Sequence, residues 1–512
     1  MHKHLYFLPY PFMSIHTASL LSTIYKHNED SGSLINIFLC PDRVNVCAFN
    51  PLGLKLKCYA CNQTATHTVN LLPKSVNIVS SSVDDELLDN EVTRFSEEIE
   101  ASTSLTQVKN LNFKGYPIGY AIVSSLVSIS RSSSFGKLEV DRLKALAKTY
   151  IITVRHAENL FENNTYKKLI IFNGRFELTN AVISVAKKFE VDIKTMEVTG
   201  VSSRLIDFGL PGPFSIKAAS KAIEGLWGTR SPNDKLEAEE FYINRRNGVK
   251  TNDQSFTTNQ KNHFLPAVWK KDQFNIVIFG SSMDEFFSIS PEWEFSFFQN
   301  QAEGVTHVFN ASSTISNRKI YYRMHPNLNL LRSPDIDEEK LLNNYKGLDV
   351  ILPGEAIDTY ELLDNADLVI TFGSTIGIES VYWGKPQLMI GKSFYMNQPG
   401  IGLISSLDDL KRFFSGLALD YTVLERHIAP RDTALKYSNY LMKRGYEDNV
   451  FSLNQPHASI NGVTIGASGF NKFLIKISGF LEIFYSENAF FIYLRRFSPK
   501  LANILGKIRA VF

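Results

Sequence analysis

The segment ITFGSTIGIESVYWGKP (370–386) joins the end of a strand to the start of a helix. The run Leu368–Phe372, rich in branched and aromatic residues, is typical of a buried strand. The small polar turn Gly373–Thr375 follows, and a short helix then ends at Gly384 and Pro386. A strand, a turn and a helix in this order form one unit of a parallel α/β sheet, whose ligands bind at the carboxyl ends of the strands.

One carboxylate, Glu379, lies just inside this predicted helix. With Thr375 as the N-cap, a capping box would need Glu or Gln at the position of Ile378, so capping does not explain Glu379. A carboxylate there can accept two hydrogen bonds from a ribose diol, while Ser374, Thr375 and the helix N-terminus bind phosphates. The segment is therefore interpreted as half of a nucleotide-diphosphate cradle, and a solvated, partly exposed glutamate is the alternative.

The composition is that of a packed protein with little net charge. The chain has 512 residues, of which 44% are apolar and 21% charged, and this length suits two or three domains. Its 54 basic and 52 acidic residues leave a net charge of only +2, which argues against nucleic acid as a partner.

No stretch of about 20 apolar residues is present that would span a membrane. The uncharged run Gly115–Ser130 contains four serines and a proline, and it is expected to be a core helix. Near the start, two prolines and His16 interrupt the apolar region, which disfavours a secretory signal. A strand at Leu5–Leu8 and a helix from about Thr17 are predicted instead, and the protein is expected in the cytoplasm.

Short apolar runs alternate with longer segments of helical period along the chain. The helical segments include Glu139–Ile152 and Thr179–Phe189. The predicted strands are Leu34–Leu39, Leu169–Phe172, Asn275–Phe279, Lys319–Met324, Leu368–Phe372 and Gln387–Ile390. This alternation predicts an α/β fold with parallel sheets.

A polar segment near residues 245–270, rich in Asn, Gln and Thr, marks the expected domain boundary. After it, NIVIFGSS is typical of the first strand of a new domain. We therefore predict two Rossmann-like domains that face a central cleft, followed by a helical tail. The predicted segments are residues 1–250, a linker at 251–270, residues 271–445 and a tail at 446–512.

All four cysteines, Cys40, Cys47, Cys58 and Cys61, lie close together in the first predicted domain. The spacing is C-x6-C-x10-C-x2-C, and its terminal C-x2-C suits two ligands of a tetrahedral metal. A structural zinc is one hypothesis, and reduced structural thiols are the other. A disulfide is disfavoured without a secretory signal.

Small polar residues follow the first strand of the second predicted domain. IVIFGSSMDEF places Ser281 and Ser282, and then Asp284 and Glu285, directly after this strand. Small residues let backbone N–H groups approach a phosphate, and serine hydroxyls can donate to it. A serine N-cap followed by acidic residues that suit the helix dipole is the alternative.

The next strand of that domain also ends in polar residues. IYYRMHPN presents Arg323, His325 and Asn327 near its carboxyl end. A guanidinium and an imidazole are suitable hydrogen-bond donors to a diphosphate. A surface arginine and a structural histidine are the alternative.

Two strands of the first predicted domain end in a similar way. LIIFNGRFELTN places Asn173 and Arg175 after one strand, and VDIKTMEVTG reaches Glu197 on another. Amide, guanidinium and carboxylate groups at strand ends suit a hydroxyl-rich or anionic ligand. An ion pair between Arg175 and Glu197 across the sheet edge is the alternative.

These junctions together resemble those of GT-B glycosyltransferases, and more narrowly those of bacterial transferases of capsule and lipopolysaccharide O-antigen assembly. The resemblance is strongest over residues 275–395 and rests on NGR, SSMDEF, YYRMHPN and DLVITFGSTIGIESVYWGKP. It implies that Glu379 holds the ribose of a nucleotide-sugar donor, and that His325, Ser374 and Thr375 hold its phosphates.

The resemblance implies transfer of a sugar from a nucleotide-sugar to a glycan or lipid-linked glycan acceptor. The resemblance also implies that no cofactor is required for this chemistry, since GT-B transferases work without an essential divalent metal. The candidates for the general base are Glu197, His16, Asp284 and Glu285. A sugar-nucleotide 2-epimerase, a polyol-phosphate transferase of the same fold and a non-catalytic scaffold of a polysaccharide assembly complex are the alternatives.

The last residues of the chain, 488–512, contain five basic side chains and no acidic ones, interleaved with Phe, Ile and Leu. This pattern suits a helix that lies on an anionic membrane surface, where lipid-linked acceptors are found. A terminal helix packed on the first domain is the alternative. A peripheral position on the inner face of the cytoplasmic membrane is thus one expectation.

Overall fold

Two parallel sheets with helices on their faces form the framework of the chain. The computed structural model describes residues 2–29, 33–130, 135–200, 204–249, 260–282, 288–326, 342, 345–454 and 457–485. The predicted α/β fold with two Rossmann-like domains is confirmed by the strand order of both sheets. None of the helices in these residues is long and apolar enough to cross a bilayer.

The first sheet has the order β3-β2-β1-β4-β5-β6. Its strands are parallel except β6, which runs antiparallel to β5. They are β1 (His2–Leu8), β2 (Ser33–Leu39), β3 (Val76–Val79), β4 (Lys168–Phe172), β5 (Asp192–Val198) and β6 (Leu205–Phe208). The strands are mostly buried and apolar because helices cover both faces of the sheet.

In the described residues up to 200, seven helices accompany the first sheet. The expected core helix is confirmed as α5, in which every residue from Ala121 to Val127 is buried. The helices are α1 (Ser14–Glu29), α2 (Lys55–Val69), α3 (Asp85–Ala101), α4 (Leu105–Lys109), α5 (Ile118–Ser130), α6 (Lys137–Asn163) and α7 (Glu177–Lys188).

The second sheet has the order β12-β11-β10-β7-β8-β9, and all its strands are parallel. Counted from its own first strand, this is the same 3-2-1-4-5-6 order as in the first sheet. The strands are β7 (Phe274–Phe279), β8 (Arg318–Arg323), β9 (Leu348–Ile351), β10 (Leu368–Thr371), β11 (Gln387–Met389) and β12 (Gly402–Leu403). In this order the direction in which successive strands are added reverses beside the first strand, and the crevice there is where such sheets bind ligands.

The described helices that follow strands of the second sheet are short or medium in length. They are α10 (Gln301–Ala311), α11 (Thr359–Asn365), α12 (Ile376–Tyr382), α13 (Leu407–Leu419) and α14 (Arg431–Lys443). Two further helices, α8 (Ile216–Gly228) and α9 (Pro232–Arg246), precede the second sheet in the chain.

The chain passes between the two halves of the molecule twice. Helices α8 and α9 come before residue 250, yet they pack against α12 and α14 of the second half. The hydroxyl of Tyr242 on α9 donates to the carbonyl of Ala434 on α14 over 2.6 Å. After α14 the chain returns to the first half, where Leu205 and Tyr446 exchange backbone hydrogen bonds of 3.0 and 2.8 Å.

A small antiparallel sheet lies between this return point and the last described helix. It consists of β13 (Phe451–Asn454), β14 (His457–Ile460) and β15 (Val463–Ile465), and α15 (Gly469–Tyr485) follows. The sheet packs on α1, and the Ser14 hydroxyl accepts a 2.7 Å hydrogen bond from the Ala458 N–H. The basic tail at 488–512 and the linker residues 251–259 lie outside the described residues.

Candidate functional site

Both halves of the molecule line one cleft of about 560 Å³. The first half contributes Asn173, Arg175 and Glu197, which lie at the carboxyl ends of β4 and β5. The second half contributes Thr375, at the carboxyl end of β10. Arg444, at the point where the chain returns to the first half, also lines this interdomain cleft.

The turn after β4 positions the amide of Asn173. Asn173 has a φ of 63° and Gly174 a φ of 92°, a left-handed pair that these two residue types adopt readily. The turn places the Asn173 Nδ2 group 2.6 Å from Glu197 Oε1, to which it donates. Asn173 and Glu197 meet because β4 and β5 are neighbouring parallel strands, with Phe172 paired to Met196.

Opposing effects on the pKa of Glu197 set the protonation state of its carboxyl group. Its side chain is half-buried, and burial raises its pKa to about 7, against the opposing effects of the Asn173 hydrogen bond and the positive charges of Arg175 and Arg444. A carboxyl with this pKa can take up and release a proton at neutral pH, as a general base must.

The two arginines of the cleft are held by aromatic rings. The Arg175 guanidinium lies 4.7 Å from the centre of the Phe176 ring and 5.6 Å from that of Phe214. The Arg444 guanidinium lies 4.9 Å from the Tyr440 ring centre, and its Nη1 donates to the Tyr440 hydroxyl over 3.2 Å. Stacked in this way, both cations are positioned for an anionic ligand.

The opposite wall of the interdomain cleft is the turn Gly373–Thr375. Its first residue must be glycine because another part of the backbone lies very close to it. Gly373 has a φ of +113°, and a Cβ atom there would lie 1.9 Å from the Lys392 carbonyl oxygen. Thr375 is the N-cap of α12 and is exposed, whereas Ser374 is half-buried and its carbonyl accepts a 2.5 Å hydrogen bond from the Tyr395 hydroxyl. The turn therefore presents Thr375, rather than Ser374, to the interdomain cleft.

Glu379 is enclosed by protein, and the alternative of a solvated, partly exposed glutamate is wrong. The residue is only 3% exposed. Its Oε1 accepts from Arg245 Nε at 3.2 Å, and its Oε2 accepts from the Tyr360 hydroxyl at 2.6 Å. The helix that carries it is covered by α9 and α11, a tertiary contact that local sequence does not reveal. The ribose role of Glu379 stays a prediction.

The residues predicted after β8 have unlike environments. Arg323 is 2% exposed, and it donates to the carbonyls of Leu352 and Glu355 over 2.9 and 3.2 Å, so these bonds secure the loop after β9. Burial, followed by the charge of Arg323, lowers the pKa of His325 to about 4. His325 is therefore neutral at pH 7 and can meet a phosphate only as a hydrogen-bond donor. Asn327 lies outside the described residues.

Three other candidates, Ser281, Ser282 and His16, do not line the interdomain cleft. Ser281 and Ser282 are buried and line a second cavity, and the Ser281 backbone is bound by both amide atoms of Gln301. His16 stacks on Phe172 with ring centres 3.9 Å apart, and burial lowers its pKa to about 4. Asp284 and Glu285 lie outside the described residues.

Arg444 is the residue of the cleft that sequence reasoning missed. Its neighbour Gly445 has a φ of +84°, and a Cβ atom there would lie 2.4 Å from the Leu205 carbonyl oxygen. The Arg-Gly pair thus lies where the chain docks back onto β6. The glycine after Arg444 was the available signal for a sharp turn, but nothing local indicated which wall the arginine would join.

The four cysteines are free thiols in the first half. Burial raises the pKa of all four, to about 12 for Cys61, so that without a bound metal the thiols are protonated at neutral pH. Cys58 Sγ accepts a 3.1 Å hydrogen bond from Asn50 Nδ2. In the part of the chain that the structure describes, no three His, Cys, Asp or Glu side chains are arranged to hold a metal ion. The zinc hypothesis stays a prediction.

No known protein family matches the sequence, and no curated protein matches it either. Among solved structures, the chain is similar to the β-Kdo 2,4-transferase KpsC of Thermosulfurimonas dismutans, with 14% identity, a TM-score of 0.36 and coverage of 54% of this chain and 79% of that one. It is also similar to the UDP-GlcNAc 2-epimerase of Neisseria meningitidis bound to UDP-GlcNAc, with 10% identity, a TM-score of 0.31 and coverage of 86% and 97%. At these scores the similarities decide nothing about activity. The strand order and the cleft define the architecture as GT-B-like.

Proposed function

We propose that the protein is a glycosyltransferase that moves a sugar from a nucleotide-sugar to a hydroxyl of a growing surface polysaccharide, of the capsule or O-antigen type. One observation carries the proposal. Glu197, with a pKa of about 7, lies in a cleft lined by both Rossmann-like halves, and the positive charges of Arg175 and Arg444 act on its carboxyl group. A base and two cations in one cleft are what transfer from a diphosphate leaving group requires.

In the proposed reaction, Glu197 accepts the proton of the acceptor hydroxyl as that oxygen attacks the anomeric carbon. A new C–O bond forms to the acceptor oxygen, and the bond from the anomeric carbon to the diphosphate oxygen breaks. The nucleoside diphosphate leaves with the electron pair, and Arg175, Arg444 and the Thr375 hydroxyl stabilise its charge. Asn173 fixes the orientation of the base through its 2.6 Å hydrogen bond.

Resemblance to GT-B transferases supports the further assignments on the donor side. Thr375, which lines the cleft, would donate a hydrogen bond to the donor phosphates. The same role for Ser374 and the neutral His325, which the resemblance implies, would require the ligand to extend beyond the cleft lining. Glu379 would reach the ribose with lone pairs that Arg245 and Tyr360 do not use. The acceptor would be a glycan or a lipid-linked glycan.

A sugar-nucleotide 2-epimerase is the second candidate, because a carboxyl with a pKa of about 7 also suits abstraction of a proton beside the anomeric centre. The two reactions differ in their need for an acceptor. An epimerase converts the nucleotide-sugar alone, whereas a transferase forms a new glycoside only when an acceptor hydroxyl is supplied.

The test is a panel of nucleotide-sugars added to the full chain, followed by thermal shift and by mass spectrometry of the products. Stabilisation by a nucleoside diphosphate, with sugar transfer only in the presence of a glycan acceptor, is the expected result. Conversion without an acceptor favours the epimerase. No thermal shift with any nucleotide contradicts both and favours the non-catalytic scaffold.

Activity is expected to survive chelation of divalent metal. If Arg175, Arg444 and hydrogen-bond donors stabilise the leaving diphosphate, an excess of EDTA leaves kcat within about two-fold of its value. The assay is initial-rate sugar transfer before and after chelation. Rapid, complete loss that Mg²⁺ or Mn²⁺ restores would instead assign the leaving-group role to a metal.

A further inference from the structure

A second cavity of about 390 Å³ also lies between the two halves. Its first-half wall includes the start of α4 and Phe135, and its second-half wall includes the end of β7 and the start of α10. Trp293 lines both this cavity and the interdomain cleft, so the two spaces share one wall. We refer to the second space as the aromatic cavity.

Trp293 is fixed as part of that shared wall. The residue is 3% exposed, and its Nε1 donates to the Phe214 carbonyl over 2.7 Å. Its ring meets the ring of Phe394 edge-on at 5.0 Å. With the indole N–H already bonded to backbone, Trp293 offers the cavity a rigid apolar ring rather than a hydrogen-bond donor.

The aromatic cavity combines apolar rings with many small polar groups. Nine of its side chains carry a hydroxyl or an amide, among them Thr106, Ser281 and Ser288. A pyranose has an apolar C–H face that packs on aromatic rings and a rim of hydroxyls that need hydrogen-bond partners. Its five aromatic side chains are Phe135, Trp293, Phe295, Phe298 and Phe372.

Among the described residues that line the aromatic cavity, two side chains of opposite charge pair with each other. The charged side chains of its lining are Lys109 and Glu294, which form an ion pair of 2.8 Å. The Lys109 side chain is only 4% exposed, so its charge is committed to Glu294. A cavity with this pairing favours an uncharged ligand over an anionic one.

Two buried hydroxyl groups in the lining of the aromatic cavity have no hydrogen-bond partner among the described residues. Ser281 is 4% exposed and Ser288 is 2% exposed, and within the described residues neither Oγ atom has a hydrogen-bond partner. Buried hydroxyls are normally bonded, so these two suit a ligand that itself carries hydroxyl groups.

We propose that the aromatic cavity binds an uncharged pyranose unit of the acceptor glycan, next to the interdomain cleft and separated from it by Trp293. This inference rests on the proposed glycosyl transfer and assigns the acceptor class of that reaction. It also gives Ser281 a role in acceptor binding, on the opposite side of Trp293 from Glu197.

The test uses saturation-transfer NMR on the full chain with methyl α-D-glucopyranoside, methyl β-D-galactopyranoside and N-acetylglucosamine, and with glucuronate as the anionic comparison. Thr106 is exposed at the rim, and Thr106→Trp fills the cavity with a large ring. Thr93→Trp, on an exposed position of α3 outside the cavity, is the matched control.

At least one neutral glycoside is expected to give a signal that Thr106→Trp reduces five-fold or more and Thr93→Trp leaves unchanged, with a weaker signal from glucuronate. Gln299→Ala, which removes an exposed amide from the lining, is expected to reduce the same signal at least two-fold. No neutral glycoside signal, or equal signals from both tryptophan variants, overturns the inference.

A nucleotide thermal shift run on the same samples separates this inference from the proposed function. A shift that persists in Thr106→Trp, with the glycoside signal lost, supports both. A shift without any glycoside signal overturns the acceptor site alone. A glycoside signal that is sensitive to Thr106→Trp, without any nucleotide shift, supports the sugar cavity and contradicts the transfer reaction.

Discussion

Glu197→Gln is expected to reduce kcat for sugar transfer by about 10²–10⁴-fold, the usual contribution of a general base. Glutamine keeps the size of the side chain and can still accept the hydrogen bond from Asn173, but it cannot take the acceptor proton. The measurement is initial-rate transfer at saturating donor. Glu162→Gln, on an exposed position of α6, is the matched control and should keep full activity.

The pH dependence of the unaltered protein provides a second check. Because the base must be ionised, kcat/KM is expected to fall as the pH drops below about 7, the pKa to which burial raises Glu197. A profile that stays flat down to pH 5 would exclude Glu197 as the base.

Folding of the variant can be judged separately from its activity. The raised pKa means that ionised Glu197 disfavours the folded state as pH rises through about 7, whereas glutamine carries no charge to bury. The Tm of Glu197→Gln at pH 8 should therefore equal or exceed that of the unaltered chain. A lower Tm would mean that lost activity reflects damaged structure.

Glu379→Ala is expected to lower the free energy of unfolding of the second half by about 3 kcal/mol, the cost of breaking a buried ion pair. The substitution leaves the Arg245 guanidinium and the Tyr360 hydroxyl without the carboxylate oxygens that they now contact at 3.2 and 2.6 Å. The measurement is the shift of the urea unfolding transition, monitored by circular dichroism.

Glu425→Ala, at an exposed position, is the control for this effect and should change stability by less than about 0.5 kcal/mol. Adding Arg245→Met to Glu379→Ala should recover part of the loss, because the double variant no longer leaves an unpaired cation. If Glu379→Ala is as stable as the control, the contacts with Arg245 and Tyr360 contribute little. The effect of Glu379→Ala would then be confined to donor binding.

The central strands of both sheets could be predicted because buried parallel strands are short, continuous apolar runs. The run Asn275–Phe279, for example, forms most of β7. The strands β3, β6, β9 and β12, which lie toward the sheet edges, were not predicted. The meeting of Asn173 with Glu197 also follows from sequence once β4 and β5 are taken as neighbours. The burial of Glu379 did not follow, because α9 covers it from a part of the chain far away in sequence.

The small sheet in the tail was missed although its signal was present. Asn461 and Gly462 both have positive φ, at 48° and 77°, and they join β14 to β15 with Ile460 paired to Val463. An Asn-Gly pair between apolar residues is a strong sequence signal for a two-residue hairpin. The prediction of a helical tail did not include this hairpin.

The double passage of the chain between the two halves bears on the order in which the molecule can be completed during synthesis. The first half gains the sheet β13–β15 only after residues 451–465 have left the ribosome. Until then, the apolar face of α1 that this sheet covers stays exposed. Helices α8 and α9, in contrast, emerge before the second sheet on which they pack. The first half is therefore not a contiguous piece of the gene, and a single cut near residue 250 would separate α8 and α9 from the second sheet on which they pack.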